Sequence, residues 1–380
     1  MVDRLFAFVA GEASGDLLAA PVIGALRQRD PQARCAGVAG DRMIAQGCEA
    51  WWHVRALSVR GYAEVIGELP RLLRLRAQLR ERVLSGQASV FVGVDAPDFN
   101  LRLETRLRAA GVPTVHYVSP SIWAWRRERI EEIRRAADRV LLVFPFEQAI
   151  YDSAGIAATY VGHPLASEIP LAPDARAARA RLGVDGDPLI VALPGSRRAE
   201  VEHIAPALFG AFVQLARRYP GARLVVPAAS VELRDRLAAL LAAAPDAAPY
   251  TTLVDGRSHD CIEAADGALV ASGTATLEVA LYKKPMVIVY RMPRLSWWIM
   301  RRMGYLPWVG LPNILASESL VPELLQDDAT AQAIADALIR QLDDPARCER
   351  LRERFSALHE TLRRDTPALA ADAILATAKR

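Results

Sequence analysis

Gly267–Lys284, GALVASGTATLEVALYKK, is the stretch on which the fold turns. The apolar run Ala268–Ala271 has the composition of a buried parallel strand. Ser272-Gly273-Thr274 follows, with small residues for a tight turn and a hydroxyl suited to cap a helix. From Ala275 the pattern is helical and ends near Lys283-Lys284, just before Pro285. A strand that passes through a small-residue turn into a helix N-terminus is where an α/β protein holds an anion, because free N–H groups and the helix dipole both point at the charge. Glu278 falls one turn into that helix. A carboxylate would repel a phosphate there, but it suits the two hydroxyls of a ribose. Taken alone the stretch is also compatible with an ordinary strand–helix unit carrying an exposed Glu.

The same alternation runs through the chain. Leu5–Ala10 reads as a strand followed by Gly11-Glu12-Ala13-Ser14-Gly15-Asp16 and a helix to Arg29. Neither GxGxxG nor GK[ST] occurs, so the dinucleotide fingerprint and the P-loop are both excluded. Ala36–Gly40, Ala88–Val94, Pro113–Val118, Val140–Phe144 and Thr159–Val161 continue a first series of strands. Pro97 stops the strand before it and leaves Asp95 at a carboxyl tip, the edge that lines the ligand crevice of an open α/β sheet. Gly162-His163-Pro164, with Pro170 and Pro173, reads as a linker, and His163 as a hinge or packing residue. Leu189–Leu193 opens a second series, continued by Arg223–Pro227, Tyr250–Val254, Gly267–Ala271 and Pro285–Tyr290. From Val321 onward the pattern is helical. The expected fold is α/β: two doubly wound Rossmann-like domains facing a cleft, over 1–165 and 175–345, with C-terminal helices over 346–380.

Length supports the division, since 380 residues exceed one ordinary core. A net charge of +3 is too mild to argue for nucleic acid. The four cysteines are scattered without metal-ligand spacing, which fits a reducing compartment and no disulfide framework. The N-terminal apolar run is too short for a signal peptide, and no run reaches the roughly 18 residues of a membrane span. The expectation is a protein that is soluble or rests on a membrane surface. Two segments bear on that surface. Leu57–Leu84 interleaves Val65, Ile66, Leu69, Leu72, Leu73, Leu75, Leu79 and Val83 with Arg71, Arg74, Arg76, Arg80 and Arg82. This is either a solvated helix packed on a sheet or an interfacial helix on anionic lipid. Arg294–Leu311 is rich in Trp, Met and Arg, an interfacial or a domain-packing composition.

Four stretches together go beyond the generic pattern: VAGEASGD (Val9–Asp16), FVGVDAPDFN (Phe91–Asn100), HYVSPSIWAWR (His116–Arg126) and LPGSRRAEVE (Leu193–Glu202). With SGTATLE (Ser272–Glu278) and LPNILA (Leu311–Ala316) they resemble, in order, the motifs of the lipid-A-disaccharide synthase family. The resemblance covers nearly the whole chain and is weakest at 166–188 and after 325. It implies an inverting glycosyltransferase of the two-Rossmann-domain (GT-B) type. Such an enzyme moves 2,3-diacylglucosamine from UDP-2,3-diacylglucosamine to 2,3-diacylglucosamine 1-phosphate, forming a β-1,6-linked disaccharide 1-phosphate and UDP. It also implies no metal or other cofactor, a homodimer, and work at the anionic inner face of the cytoplasmic membrane of a Gram-negative cell.

That transfer needs a base, a stabiliser for the departing diphosphate and room for acyl chains. Asp95 is the expected base, with Asp98 second because it better suits capping the helix that starts near Phe99. No DxD motif suggests a metal, so cations and helix N-termini must meet the diphosphate. Arg197 is the main candidate, with Gly195, Ser196 and Arg198 beside it. The backbone of Ser272, Gly273 and Thr274 would hold phosphate, Glu278 the ribose, and Asn313 an added N–H. Further substrate contacts are expected at Gly11, Glu12, Ser14, Gly15, Ser119 and Trp123. Two other readings compete: a UDP-sugar 2-epimerase or muramyl-type transferase, which would not need acyl chains, and a non-catalytic nucleotide- or lipid-binding module, which would not need Asp95, Arg197 and Glu278 together.

Overall fold

In the computed structural model the described residues are 4–57, 62–292, 297 and 306–378, with only the backbone described over 62–67. The side chains of Val65 and Ile66, and most of the Trp-rich 294–311 segment, therefore lie outside what is described.

The chain divides into two compact units, 1–167 with 362–380, and 168–361. The C-terminal helix Thr366–Thr377 thus belongs to the first unit. Arg29 Nε meets Asp372 Oδ1 at 2.5 Å, and Arg139 Nε donates to Thr377 Oγ1 at 3.1 Å.

The first unit is built on seven strands: β1 (Arg4–Ala10), β2 (Ala33–Ala39), β3 (Glu49–His53), β4 (Val90–Val94), β5 (Thr114–Tyr117), β6 (Arg139–Leu142) and β7 (Ala158–Tyr160). They form one parallel sheet in the order β3-β2-β1-β4-β5-β6-β7. The central strands β1 and β4 are buried almost throughout, as the apolar runs require when helices cover both faces. Strand β3 is absent from the sequence reading; EAWWH is an edge strand whose half-exposed residues give no continuous apolar run.

The second unit holds β8 (Leu189–Leu193), β9 (Arg223–Ala228), β10 (Thr251–Asp255), β11 (Gly267–Ala271), β12 (Met286–Tyr290) and β13 (Glu323–Leu325). Its parallel sheet runs β10-β9-β8-β11-β12-β13. The segment after Val321 therefore begins with a strand rather than a helix. At three residues, β13 is too short to show periodicity.

In both sheets the strand order reverses once, between β1 and β4 and between β8 and β11. At such a switch point the neighbouring helices leave on opposite faces and a crevice opens at the strands' carboxyl ends. Gly11 and Asp95 follow β1 and β4; Pro194 and Ser272 follow β8 and β11. The motif-bearing stretches thus fall at the two switch points.

Candidate active site

The second unit's switch point is hollow. A cavity of about 470 Å³ is lined by Leu193–Arg197, Glu200, Pro227–Ala229, Gly256, Ser258, Ala271–Ala275 and Glu278. The helix Thr274–Leu281 starts at its floor, with Gly273 at the N-cap, φ 152°, a backbone conformation that suits glycine. No side chain caps this end, in contrast to the hydroxyl cap expected from the sequence. Ser272 is occupied elsewhere: its N–H donates to Val289 O at 2.9 Å and its hydroxyl to Val309 O at 2.9 Å. That corrects the role expected of Ser272 and leaves the amides of Gly273, Thr274 and Ala275 at the open end.

Glu278 stands one turn behind those amides with its side chain 18% exposed. Burial raises its carboxyl above the usual range, partly opposed by His259, whose Nε2 lies 3.8 Å from Glu278 Oε2. Nothing in local sequence links His259 to Glu278; packing of the helix Ser258–Ala264 brings them together.

Across the cavity Gly195, φ 117°, turns the chain so that Glu200 folds back over it. Glu200 Oε2 accepts the N–H groups of Ser196 (3.1 Å) and Arg197 (3.3 Å), while Oε1 accepts Arg197 Nη1 at 2.9 Å. A Cβ on Gly195 would come within 2.5 Å of Glu200 Oε2, so the turn needs glycine. Arg197 is thereby steered while its side chain stays 82% exposed on the lip. Glu200 was missed in the sequence, although a Glu three residues after an N-cap is a recognised helix-start pattern.

Two expected contributors lie elsewhere. Arg198 ion-pairs with Glu202 at 3.0 Å and borders a different surface depression with Glu232 and Asp235. Asn313 is fully buried, and its amide donates to Val321 O (2.9 Å) and Glu323 Oε1 (2.8 Å), so no donor remains for a ligand. Glu323 also accepts the N–H groups of Val309 and Gly310, and so holds the loop on which Ser272 rests.

In the first unit Asp95 and Ala96 both adopt left-handed backbone, φ 53° and 45°. Two consecutive non-glycine residues in that region carry strain that the surroundings must hold. Three features hold it. Asp95 N–H donates to Tyr117 O at 2.9 Å. Buried Asn100 donates to Asp95 O at 2.8 Å and faces the carbonyls of Val9 and Val94. Gly11 leaves room, because a Cβ there would stand 2.2 Å from Ala96 Cβ. Ala96, not Asp98, is the N-cap of the helix Pro97–Ala109, and Asp98 is exposed and paired with Arg129. Capping therefore does not separate Asp95 from Asp98, whereas the strained, half-buried turn favours Asp95.

Glu12 and Ser14 are exposed at the start of the helix Ala13–Arg29, and Gly15 lets that helix press on Ala10 and Val94. Asp16 is structural, accepting the N–H groups of Gly40, Arg42 and Met43. Ser119 is buried, with its hydroxyl 2.7 Å from Tyr151 Oη. Trp123 packs edge-on against Phe146 at 5.4 Å, and Phe144 stacks on His163. Below them Glu147 is buried and accepts Phe144 N–H at 3.1 Å. Burial pushes its carboxyl up to about 8 and holds His163 down at about 4.

The helix Tyr62–Ser85 packs on the sheet by one face and leaves apolar side chains exposed on another. Leu75, Leu79 and Val83 enter the core, whereas Leu69 and Leu73 are 47% and 45% exposed beside Arg71 and Arg74. Arg76 lies on the packed face, 7% exposed.

Two parallel, doubly wound sheets with a hollow at one switch point define the class of fold: a two-domain α/β architecture of GT-B type. Solved structures agree in fold. The glycotransferase of kitacinnamycin superposes with a TM-score of 0.63 at 15% identity over 99% of both chains. Acinetobacter baumannii MurG gives 0.57 at 15% over 98% of this chain and 99% of its own. The family is fixed by sequence. The family model described as lipid-A-disaccharide synthetase matches residues 6–374. Lipid-A-disaccharide synthases of Burkholderia lata and Albidiferax ferrireducens are 52% and 50% identical, over 97% of this chain and 95% and 96% of theirs. The chain belongs to the lipid-A-disaccharide synthase family. It is a glycosyltransferase whose substrates are a UDP-sugar and a sugar phosphate, the reaction expected above.

Proposed function

We propose that the second unit binds the UDP moiety of UDP-2,3-diacylglucosamine in the cavity between β8 and β11. The observation that carries this is the convergence there of three open amides, Arg197 and Glu278. Ionised Glu278 accepts the ribose hydroxyls, the amides of Gly273–Ala275 take phosphate oxygens, and Arg197 meets the charge that grows on the diphosphate as the glycosidic bond breaks. The first unit supplies the base. Asp95 takes the proton of the 6-hydroxyl of 2,3-diacylglucosamine 1-phosphate as that oxygen attacks the anomeric carbon, inverting it. The transfer would run without a metal or other cofactor, as the resemblance implies, with Arg197 and the open amides meeting the diphosphate in place of a cation. A UDP-release assay with both acylated substrates tests the reading; release that is indifferent to removal of the acyl chains overturns it.

The exposed Leu69 and Leu73 beside basic side chains support peripheral attachment to the anionic inner face of the cytoplasmic membrane. No helix among the described residues is long and apolar enough to cross a membrane. The homodimer implied by the resemblance is open to sedimentation equilibrium.

A further inference from the structure

Buried charges in proteins are ordinarily paired, because taking a lone ion out of water is costly. Arg76 breaks that rule. It sits in the groove between the helices Tyr62–Ser85 and Pro97–Ala109, 7% exposed, with no hydrogen-bond partner for Nε. Its nearest compensation is the Phe99 ring, 5.9 Å from its guanidinium carbon. The neighbouring charges make matters worse. Burial depresses the basicity of Arg76, and repulsion from Arg106 and Arg102, one turn apart on the second helix, lowers it further. Among the described residues no carboxylate pairs with any of the three, whereas Arg4, Arg34, Arg108 and Arg129 of the same unit each have one. A buried guanidinium with an unpartnered Nε, two further arginines on the helix packed against it and no anion paired with any of the three describe a site that lacks its ligand.

The chemistry of that ligand follows from the donors and the setting. Guanidinium forks match tetrahedral phosphate oxygens and keep their charge at any working pH. Phe99, whose ring faces Arg76, lies in the first turn of the helix that begins at the Asp95–Ala96 turn. The helix that carries Arg76 exposes Leu69 and Leu73. A phosphate anchored there would have apolar side chains beside it and the candidate base nearby.

We propose that Arg76, Arg102 and Arg106 form a binding site for the phosphate group of a phosphorylated lipid. That the phosphate is lipid-borne rests on the function proposed above. Two sources share this chemistry, the 1-phosphate of the acceptor and the headgroup of an anionic phospholipid, and binding measurements separate them.

The test compares the full chain with an R102A/R106A double variant, both positions being exposed, and with Arg76→Met, which keeps the packing and removes the charge. Binding is measured to the acceptor dispersed in neutral detergent, and to phosphatidylcholine vesicles with and without phosphatidylglycerol. Each arginine beside an anionic surface contributes about fivefold, so the double variant should weaken the affected arm on the order of tenfold or more. Loss in the detergent arm alone assigns the site to the acceptor's phosphate; loss in the vesicle arm alone assigns it to the headgroup; loss in both supports a shared site. Relief of the repulsion should also raise the variant's melting temperature in phosphate-free buffer. If the full chain binds and both variants bind as it does in both arms, Arg76 is a packing residue and the site is overturned, with the transferase reading untouched. If the parent chain binds neither ligand, the site is overturned together with the acylated acceptor and membrane attachment proposed above.

Discussion

The side-chain amide of Asn100 donates to the main-chain carbonyl of Asp95 at 2.8 Å, across a turn in which Asp95 and Ala96 are both left-handed. The bond ties the strained turn to the helix that follows it. Because Asn100 also faces the carbonyls of Val9 and Val94, it gathers both strands of the switch point under one buried side chain. The carboxylate of Asp95 is thus presented by backbone geometry.

If Asp95 is the base, Asp95→Asn keeps size and hydrogen bonding while removing basicity. Turnover is expected to fall by about 10²–10⁴-fold, with UDP affinity unchanged by calorimetry. Asp98→Asn, at an exposed carboxylate, should cost far less. The reverse order would transfer the role to Asp98.

Arg197 is held on the lip of the cavity by Glu200. Arg197→Ala is expected to lower kcat by on the order of 10²-fold or more, as when a principal charge-stabilising donor is lost. Activity should persist in excess EDTA. A loss in chelator that Mg²⁺ restores would sink the metal-free reading.

Glu278 must be ionised to accept two hydroxyls, and burial raises its carboxyl above the ordinary value of 4.5. Protonation therefore competes with UDP. Affinity should weaken as pH falls through that raised value, a limb less acidic than a solvated Glu would give. Glu278→Gln should bind UDP more weakly and lack the limb; a variant retaining the parent's pH dependence excludes Glu278 from the ribose.

Glu147 gives a stability prediction of definite sign. Its carboxyl is at about 8 in the fold and 4.5 when solvated. The folded state holds the extra proton, so the stabilisation is full below about 4.5 and is lost as pH rises through about 8. The slope between is about 1.4 kcal/mol per pH unit. Glu147→Gln, neutral throughout, should match the parent near pH 4.5 and gain on it steadily up to pH 8. A melting-temperature difference that does not change with pH would count against a buried neutral Glu147.

Leu69 and Leu73 carry the membrane prediction. Binding to anionic vesicles should have a salt-sensitive part from arginines such as Arg71 and Arg74, and a residual apolar part. Leu69→Ser with Leu73→Ser should remove the residual part alone. Equal binding of this pair of substitutions and the parent at high salt would make the helix an ordinary surface helix.

The sequence by itself determined the alternation of strand and helix, the ends of the central strands and the family. Those features are local: continuous apolar runs, small-residue turns, and motif residues adjacent in the chain. It could not show the edge strands β3 and β13, because short, half-exposed strands carry no periodicity. Only the tertiary structure decided which motif residues are free to act. Ser272 and Asn313 are consumed by carbonyls and a carboxylate from Val289, Val309, Val321 and Glu323, while Arg198 turns away to Glu202. Asn100 supports the Asp95 turn of the first unit, and Glu200 and His259 the cavity of the second, through hydrogen bonds, burial and charge that no spacing rule encodes. A side chain's availability depends on what packs against it, and those partners are set by the order of strands in the sheet, not by neighbours in the chain.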